Sequence, residues 1–241
     1  MPIEVSIVSV NRLPEGERRE MAGLYRAYYT GAKEEAFGKD LAEKDWVVLL
    51  KAEGRVCGFS TQRLITGIEC RQNVCAPGTM NVLFSGDTIV DSGVRGQSGL
   101  AGGFGHLMAY LNERYDAQSL FWFLISKGAR TYRFLPTFFK RYVPGPVADV
   151  DLDARLRDVA TRLYPKEYQP ETGVLHFEGD KDRLIADELR EDTASRFFRK
   201  RNPRWTDGDE LCCFAPLPMD NLNRLGERVI RSTVPRWDIS P

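Results

Sequence analysis

The sequence lacks the features that mark several large classes of protein. Its 241 residues carry 34 basic and 34 acidic side chains, so the formal net charge is zero. A balanced charge does not favour a polyanionic partner, so we expect no nucleic-acid binding, and any anion site should be local. No apolar run approaches the roughly 20 residues that cross a membrane, and no membrane span is expected.

Histidine and cysteine are scarce, and their spacing does not indicate a metal site. There are two histidines and five cysteines. Cys70 and Cys75 are five residues apart and Cys212 is adjacent to Cys213, which is not the two-residue spacing of paired zinc ligands. The first residues, "MPIEVSIVSV", lack the basic start and cleavage site of a secretory signal. We therefore expect free thiols in a reduced, cytoplasmic protein without a bound metal.

Hydrophobic periodicity predicts alternating strands and helices in the first part of the chain. The predicted strands are 3–10, a hairpin at 46–65, 81–91 and 119–126. The predicted helices are 15–30, 33–45, a segment from Leu100 to Leu111, and 127–142, which Pro136 interrupts. This order predicts a mixed α/β sheet with helices on its faces.

A seam at 144–153 separates a core, residues 1–145, from a C-terminal extension, residues 146–241. The elements predicted in the extension are helices at 153–163 and 180–201, strands at 173–179 and 209–217, and a final helix with a tail. We expect this α/β extension to complete the sheet and to pack on the core.

Residues 90–105, "VDSGVRGQSGLAGGFG", join a strand to a helix and contain six glycines. A helix N-terminus has unpaired N–H groups and a partial positive charge, and glycine lets an anion approach them closely. Arg95 adds a fixed positive charge at this junction. The glycines of the helix itself, Gly99, Gly102, Gly103 and Gly105, are also explained by close packing on a sheet, and both interpretations can hold together.

Three better-known glycine motifs fit this segment poorly. The dinucleotide-binding fingerprint lacks its third glycine, and no Gly-Lys-Ser/Thr ends the loop as in a phosphate-binding P-loop. Gly96 to Gly99 is one residue short of the G-x-S-x-G elbow that carries a nucleophilic serine. His106 follows Ser98 on the same helix, which leaves His176 as its only base. A serine hydrolase using Ser98 is kept as an alternative function.

The stretch "IVDSGVRGQSGLAGGFGHLMAYL" resembles the acyl-CoA-binding motif of the GCN5-related N-acetyltransferase (GNAT) superfamily. In that family a strand ends in V-x-P-x-x-R-G-x-G-x-G/A, and a helix begins there. The positions that match in order are Val90, Asp91, Arg95, Gly96 and Gln97. Ser92 replaces the proline, and Ser98 and Leu100 replace glycines. The order of elements over residues 3–142, about three-fifths of the chain, is also that of the family.

The resemblance implies a GNAT-like, mostly antiparallel central sheet and acetyl-CoA or another acyl-CoA as the donor. The donor pyrophosphate would bind Arg95 and the backbone N–H groups of Gly96, Gln97, Ser98, Gly99 and Leu100. The pantetheine arm would lie between strands 81–91 and 119–126. Ser126 begins "SKGA", which occupies the place of the family's N-x-x-A, and it is counted with the donor-binding residues.

The reaction implied is acyl transfer to the amine of a small molecule or peptide. A bulge in the fourth strand would free the N–H of Ile89 or Val90 for the thioester carbonyl. Asp87 lies in an otherwise apolar strand, where burial would raise its pKa and make it a general base; a purely structural aspartate is the alternative. Tyr132 is the predicted general acid, and Tyr142 is a second candidate.

The extension carries a basic cluster interleaved with aromatic residues. Its basic residues are Arg196, Arg199, Lys200, Arg201 and Arg204. An acyl carrier protein or the nucleotide 3′-phosphate would fit such a cluster, whereas a helix with an acidic start and a basic end also suits its own dipole. Two further alternatives therefore remain open, an N-acyltransferase that uses an acyl carrier protein and a non-catalytic acyl-CoA-binding or interaction module.

Overall fold

The structure is a computed structural model that describes residues 2–31, 33–70, 78–94, 98–177, 183–184 and 191–239. Within these ranges the chain forms eleven strands and eight α-helices. The strands are β1 (Glu4–Ser9), β2 (Tyr29–Thr30), β3 (Trp46–Ala52), β4 (Arg55–Glu69), β5 (Thr79–Val90), β6 (Leu120–Ser126), β7 (Tyr168–Gln169), β8 (Val174–Leu175), β9 (Arg183–Leu184), β10 (Glu210–Pro216) and β11 (Arg236–Asp238). The helices are α1 (Glu15–Tyr28), α2 (Glu34–Ala42), α3 (Gly99–Asn112), α4 (Ala129–Tyr132), α5 (Phe134–Phe138), α6 (Val150–Leu163), α7 (Thr193–Arg201) and α8 (Arg224–Ser232).

Nine strands form one sheet in the order β11-β1-β3-β4-β5-β6-β10-β8-β7. The β1–β11 and β5–β6 pairs are parallel and the other neighbours are antiparallel. The predicted fold class, a mixed and mostly antiparallel central sheet flanked by helices, is confirmed. Residues 146–241 supply four of the nine strands, and these strands extend the sheet at both edges.

The hairpin predicted at 46–65 forms because its turn residues suit a tight connection. Ala52 pairs with Arg55, so the loop contains only Glu53 and Gly54. Both residues have positive φ, 51° and 77°, as a type I′ turn requires. The strands that follow this turn, β4 and β5, are the longest of the sheet and lead directly to the glycine-rich junction.

Both faces of the central sheet are covered by helices. Phe121 and Phe123 of β6 pack in the cluster that includes Leu152 of α6, whereas Trp122 and Leu124 pack on the opposite face with Leu107 of α3. This alternation explains why β6 is apolar at nearly every position. Helices α1 and α2 cover the first face further along the sheet, where Met21 and Phe37 pack in one cluster with β3.

Three glycines of α3 are required by close packing. A Cβ on Gly103 would lie 2.5 Å from Val48 Cγ1 of β3. A Cβ on Gly102 would lie 1.9 Å from Thr233 Oγ1, and one on Gly105 would lie 2.3 Å from Ile230 Cγ1 of α8. The packing interpretation therefore accounts for these three glycines, which bring α3 against the sheet on one side and α8 on the other.

The extension differs from the sequence prediction in three places. Of the strand predicted at 173–179, only Val174–Leu175 form a strand, β8, and residues 178–179 lie outside the described residues. The helix predicted at 180–201 begins at Thr193, because the Asp192 side chain accepts a hydrogen bond from Ser195 N (2.8 Å) and caps it. Residues 183–184, predicted helical, form β9 and pair with β2; residues 180–182 and 185–190 lie outside the described residues. The predicted C-terminal tail contains β11, which pairs with β1. In the described ranges, no helix is long and apolar enough to span a membrane.

Candidate active site

The candidate site lies where β5 and β6 separate. The two parallel strands pair from Asn81–Leu120 to Ser85–Leu124, and the pairing ends there. Strand β5 continues to Val90 beside β4, whereas β6 ends at Ser126 and the chain turns into α4. A gap therefore opens between the end of β5 and the start of α4, at the position predicted for a pantetheine arm.

A β-bulge in β5 lies at the point where the gap opens. Ser60 of β4 pairs with Thr88 and Gln62 pairs with Ser85, so Gly86 and Asp87 are opposed by a single residue, Thr61. A Cβ on Gly86 would lie 2.6 Å from Thr61 Oγ1 and would collide with it. Glycine therefore allows β4 to approach closely, and the bulge changes the direction of the Asp87 side chain relative to an unbroken strand.

The backbone after the bulge presents hydrogen-bonding groups to the gap. Asp91 N donates to Cys57 O of β4 (2.8 Å). Because N–H groups alternate in direction along an antiparallel strand, Ile89 N is directed towards β4, whereas Thr88 N and Val90 N are directed towards the gap. Of the two predicted carbonyl-binding positions, this direction favours Val90 and not Ile89.

Two cavities meet at the gap and share four lining residues, Tyr29, Thr88, Lys127 and Thr131. The first, here called the donor cavity, has a volume of about 120 Å³. It is also lined by Tyr28, Ile89, Val90, Gly128, Arg130 and Phe134. Its charged side chains are Lys127 and Arg130, so its lining is positively charged.

The second cavity, here called the acceptor cavity, has a volume of about 260 Å³ and contains the acidic residues. Besides the shared residues it is lined by Tyr25, Ala36, Phe37, Asp40, Phe84, Gly86, Asp87, Ile125, Tyr164, Phe177 and Glu210. Three carboxyl groups and several aromatic rings therefore surround one space. Its position beside the donor cavity brings Asp87 close to the junction of the two.

The charges of the acceptor cavity are mostly paired. Lys44 Nζ contacts Asp40 Oδ1 at 2.6 Å, and Lys127 Nζ lies 3.9 Å from Glu210 Oε1. Lys127 Nζ also lies 4.5 Å from the centre of the Tyr29 ring, a cation–π distance. Asp87 has no hydrogen bond or ion pair to another described residue, which leaves its carboxyl group available to a ligand.

The pKa of Asp87 is raised to about 7, chiefly because burial removes the carboxylate from water. Lys127 and Lys44 oppose this rise, whereas Asp40 and Glu210 add to it. A carboxyl group with this pKa exchanges protons near neutral pH. Such a group is suited to general base catalysis, the role predicted for Asp87 from its place in an apolar strand.

Helix α3 begins close to the donor cavity, because Leu100 packs in one cluster with Val90 and Phe134, which line that cavity. Its first internal hydrogen bond is Gly102 N to Ser98 O (2.9 Å), so the N–H groups of Gly99, Leu100 and Ala101 precede the helical ladder. The Ser98 side chain makes no capping hydrogen bond. Three of the predicted donor-binding residues, Arg95, Gly96 and Gln97, lie outside the described residues.

Two predicted site residues are buried away from both cavities. The Tyr132 hydroxyl donates to Pro144 O (3.0 Å), and its ring stacks on Phe197 at a centroid distance of 5.6 Å. Ser126 is fully buried, with its Oγ 3.8 Å from Cys213 Sγ. These positions do not support Tyr132 as general acid or Ser126 as a donor contact, because each side chain is enclosed by the core.

Sequence reasoning assigned no role to Lys127, although it lies beside Ser126. A lysine directly after an apolar strand was one signal for a functional position. Tyr29, Tyr164 and Glu210 were also missed. Glu210 begins a strand whose other residues are almost all apolar and is itself 2% exposed, which is an unusual place for a carboxyl group.

The described contacts give no support to a serine hydrolase. Ser98 has φ −82° and ψ 5°, without the strained turn of a nucleophile elbow. His106 Nε2 contacts Ile230 O and Thr233 O at 3.1 and 2.7 Å. His176 Nδ1 contacts Asp209 Oδ1 at 2.7 Å. Both histidines are thus engaged with groups other than Ser98.

Part of the basic cluster in the extension is neutralised by acidic neighbours. Arg199 Nη2 contacts Glu191 Oε1 at 2.6 Å, and Arg204 Nε lies 3.7 Å from Asp209 Oδ2. The basic residues Arg199, Lys200 and Arg201 occupy the last turn of α7, where they complement the helix dipole. This arrangement favours the dipole interpretation and gives no support to a carrier-protein surface.

No protein-family model and no curated protein sequence matches this chain. Among solved structures, a probable N-acyltransferase from Enterococcus faecalis is similar over 59% of this chain and 33% of its own length, with 13% identity and a TM-score of 0.43. The chain therefore spans about a third of that protein. A GNAT-family N-acetyltransferase (YhbS) from Escherichia coli, in complex with CoA, is similar over 57% of this chain and 70% of its own, with 14% identity and a TM-score of 0.40.

A third similar structure is glucosamine-6-phosphate N-acetyltransferase from Arabidopsis thaliana. It covers 47% of this chain and 76% of its own, with 14% identity and a TM-score of 0.32. All three are described as acyl- or acetyltransferases, which is the class of protein that residues 3–142 resemble in sequence. At these identities the likeness is one of fold alone.

Proposed function

We propose that this protein is an N-acyltransferase that moves an acyl group from acyl-CoA to the amine of a small molecule. The observation that carries the proposal is the junction of two cavities of opposite character at the gap between β5 and β6. Lys127 lines both cavities, whereas Arg130 lines the donor cavity alone and the carboxyl groups of Asp40, Asp87 and Glu210 line the acceptor cavity alone. An anionic donor and a cationic acceptor would each meet a complementary surface.

The donor is proposed to enter from the α3 side. The leading N–H groups of α3 and the partial positive charge of its N-terminus would face the pyrophosphate. The arm would follow the gap past Val90, whose N–H would hydrogen-bond the thioester carbonyl as negative charge develops on its oxygen. Arg130 would contribute a positive charge beside this path. Acetyl-CoA is the simplest donor that fits, and a longer acyl chain uses the same contacts.

Asp87 is proposed as the general base. An amine reaches the protein as an ammonium ion, and the Asp87 carboxylate would accept one of its protons. The neutral nitrogen then attacks the carbonyl carbon, the carbon–sulfur bond breaks, and the proton that the nitrogen loses as the amide forms passes to the departing sulfur; the proton held by Asp87 is released to solvent. Tyr132, predicted as the general acid, has no role in this proposal, and Lys127, which lines both cavities, supplies the positive charge that stabilises the departing thiolate. The net reaction converts ammonium and thioester into amide and thiol and releases one proton to solvent.

A thermal-shift titration tests the donor part of the proposal. Acetyl-CoA at 100 times its Kd should stabilise the protein by about 2.7 kcal/mol, because it binds the folded state alone. Dephospho-CoA, which lacks the 3′-phosphate, and acetyl-pantetheine, which lacks the pyrophosphate and the nucleotide, should each shift the melting temperature less if these groups contribute to binding. No shift with acetyl-CoA or with a longer acyl-CoA at millimolar concentration would contradict the proposed donor site.

A non-catalytic acyl-CoA-binding module gives the same thermal shift and is separated by turnover. Release of free thiol from acetyl-CoA, dependent on an added amine, is expected for the enzyme and not for the module. Mass spectrometry of the purified protein for a retained acyl-CoA would identify the length of the acyl group.

A further inference from the structure

The acceptor cavity contains two groups of aromatic rings from separate parts of the chain. Tyr25, Tyr29 and Phe37 form the first group, with ring centroids 5.0 Å apart for Tyr25–Tyr29 and for Tyr25–Phe37. Tyr164 and Phe177 form the second, in a T-shaped contact at 6.3 Å. Phe84 of β5 also lines the space. Such a lining favours a flat, apolar group over a sugar or an extended polar chain.

The acceptor cavity can accommodate one added positive charge, because one of its three carboxyl groups has no ion pair within the described ranges. Asp40 is paired with Lys44, and Glu210 lies beside Lys127. Asp87 is the remaining carboxyl group, and it has no ion pair in the described part of the chain. A ligand with two ammonium groups would bring its second charge near Lys44 or Lys127. A ligand carboxylate beside the amine would face three carboxyl groups.

The size of the cavity sets an upper limit on the part of the acceptor that enters it. Its volume is about 260 Å³, slightly below the roughly 300 Å³ at which pockets for drug-sized ligands begin. A single ring with a short amine-bearing arm is of a suitable size. The ammonium group is also favoured by the ring faces, which attract cations.

We propose that the acceptor is a small primary amine with a single positive charge on a flat apolar group, recognised by the Asp87 carboxylate and the two aromatic groups. This inference rests on the proposed function, because it identifies the acceptor cavity as the amine site. The acceptor class is that of arylmethyl and arylethyl amines. Diamines, amino acids with a free carboxylate and amino sugars are disfavoured by the same contacts.

Equilibrium binding of four probes to the full chain, without acyl-CoA, tests the inference. At pH 8 the probes are benzylamine, benzyl alcohol, butylamine and butane-1,4-diamine. Benzylamine should bind about tenfold or more tightly than benzyl alcohol, since a hydrogen bond to a charged partner contributes about 1.5–3 kcal/mol. It should bind about threefold or more tightly than butylamine, which lacks the ring.

Two variants link these preferences to named residues. Asp87→Asn should abolish the preference for benzylamine over benzyl alcohol, because it removes the carboxylate. Tyr164→Leu should reduce the preference for benzylamine over butylamine, because it removes an aromatic ring. Equal binding of benzyl alcohol and benzylamine by the unaltered protein would overturn the inference, as would tightest binding of butane-1,4-diamine. The comparison of probes needs no variant, so a variant that fails to fold does not remove the test.

Thiol release from acetyl-CoA with each amine separates this inference from the proposed function. Turnover with butane-1,4-diamine and none with benzylamine would overturn the acceptor class and leave the acyltransferase proposal standing. If the protein shows the predicted binding preference but turns over no amine, the cavity binds the proposed class of amine and the acyltransferase proposal is contradicted. Turnover that is fastest with benzylamine supports both.

Discussion

The two cavities share four lining residues and differ in charge. The donor cavity has Lys127 and Arg130, whereas the acceptor cavity has Asp40, Asp87 and Glu210 beside Lys127. The difference arises from where each charge lies in the chain, since Arg130 belongs to α4, Asp87 to the bulge of β5 and Glu210 to the extension. The extension therefore helps to build the acceptor side through Tyr164, Phe177 and Glu210, whereas all lining residues of the donor cavity come from residues 28–134.

The largest effect is expected from removing the base on the acceptor side. Asp87→Asn should lower kcat by about 10²–10⁴, the usual contribution of a general base, and should leave acetyl-CoA binding unchanged. Steady-state kinetics and a thermal shift measure the two quantities. Asp153→Asn is the matched control, because the pKa of Asp153 is also raised by burial but its side chain lines neither cavity. Retention of kcat by Asp87→Asn would remove Asp87 from the mechanism.

The rate should also rise with pH around neutrality. Asp87 acts as a carboxylate, and its pKa is raised to about 7. Below that pH the group is protonated and inactive, so kcat/KM should increase as the pH passes through about 7. A profile that is flat from pH 5.5 to 8.5 would show that no group with this pKa is needed.

Lys127, which faces both cavities, should change this pH profile. Its positive charge lowers the pKa of Asp87, so Lys127→Met should raise that pKa and move the acid limb of kcat/KM to higher pH. Activity at pH 7 should fall about tenfold, because a smaller fraction of Asp87 is then ionised and the thiolate loses a stabilising positive charge. Lys140→Met, at an exposed position, is the control. If the acid limb of kcat/KM in Lys127→Met stays at the same pH or moves to lower pH, the proposed position of the Lys127 charge beside Asp87 is contradicted.

Arg130 should affect the donor side alone, and by less. Arg130→Ala should raise the KM for acetyl-CoA by about three- to tenfold, since a partly exposed cation contributes about 1 kcal/mol. The KM for the amine should stay the same. Arg12→Ala, which removes an exposed arginine paired with Asp238, should change neither constant. An effect of Arg130→Ala on the amine and not on acetyl-CoA would reverse the assignment of the two cavities.

Substitution of the packing glycines of α3 is expected to change the free energy of unfolding and to affect ligand binding in the two cavities least. Gly103→Ala should lower the free energy of unfolding by about 1–3 kcal/mol, because its Cβ would lie 2.5 Å from Val48 Cγ1. Gly23→Ala in α1, with nothing within 4 Å of its Cβ, should stabilise the protein by up to about 1 kcal/mol. Thermal unfolding measures both. A loss of acetyl-CoA affinity in folded Gly103→Ala would show that this glycine serves the donor site as well.

The order of elements up to residue 142 could be predicted because most have a clear local signal. The break in the helix predicted at 127–142 is an exception, because it lies at Arg133, between α4 and α5, and Pro136 is within α5. The turn at Glu53–Gly54, the continuous apolar run of β6 and the stripe of α3 are all determined by neighbouring residues. Asp87 could be singled out for the same reason, as a charge within an apolar strand. Its position in a bulge depends on Thr61 of β4, which lies far away in the sequence.

The remaining site residues could not be predicted, because long-range contacts determine where they lie. Tyr132 has the spacing of a general acid, but α4 and α7 enclose its ring between Phe197 and the core. Glu210 and Tyr164 reach the acceptor cavity only because β10 pairs with β6 and α6 covers that face. Sequence spacing carries no record of such pairing across more than 80 residues.

The most direct test of the central claim is amine-dependent release of thiol from acetyl-CoA, measured for the unaltered protein and for Asp87→Asn. The account predicts release that depends on benzylamine, rises through about pH 7 and is lost in Asp87→Asn, although that variant still binds acetyl-CoA. Binding of acetyl-CoA without thiol release for any amine, or undiminished release by Asp87→Asn, would contradict it.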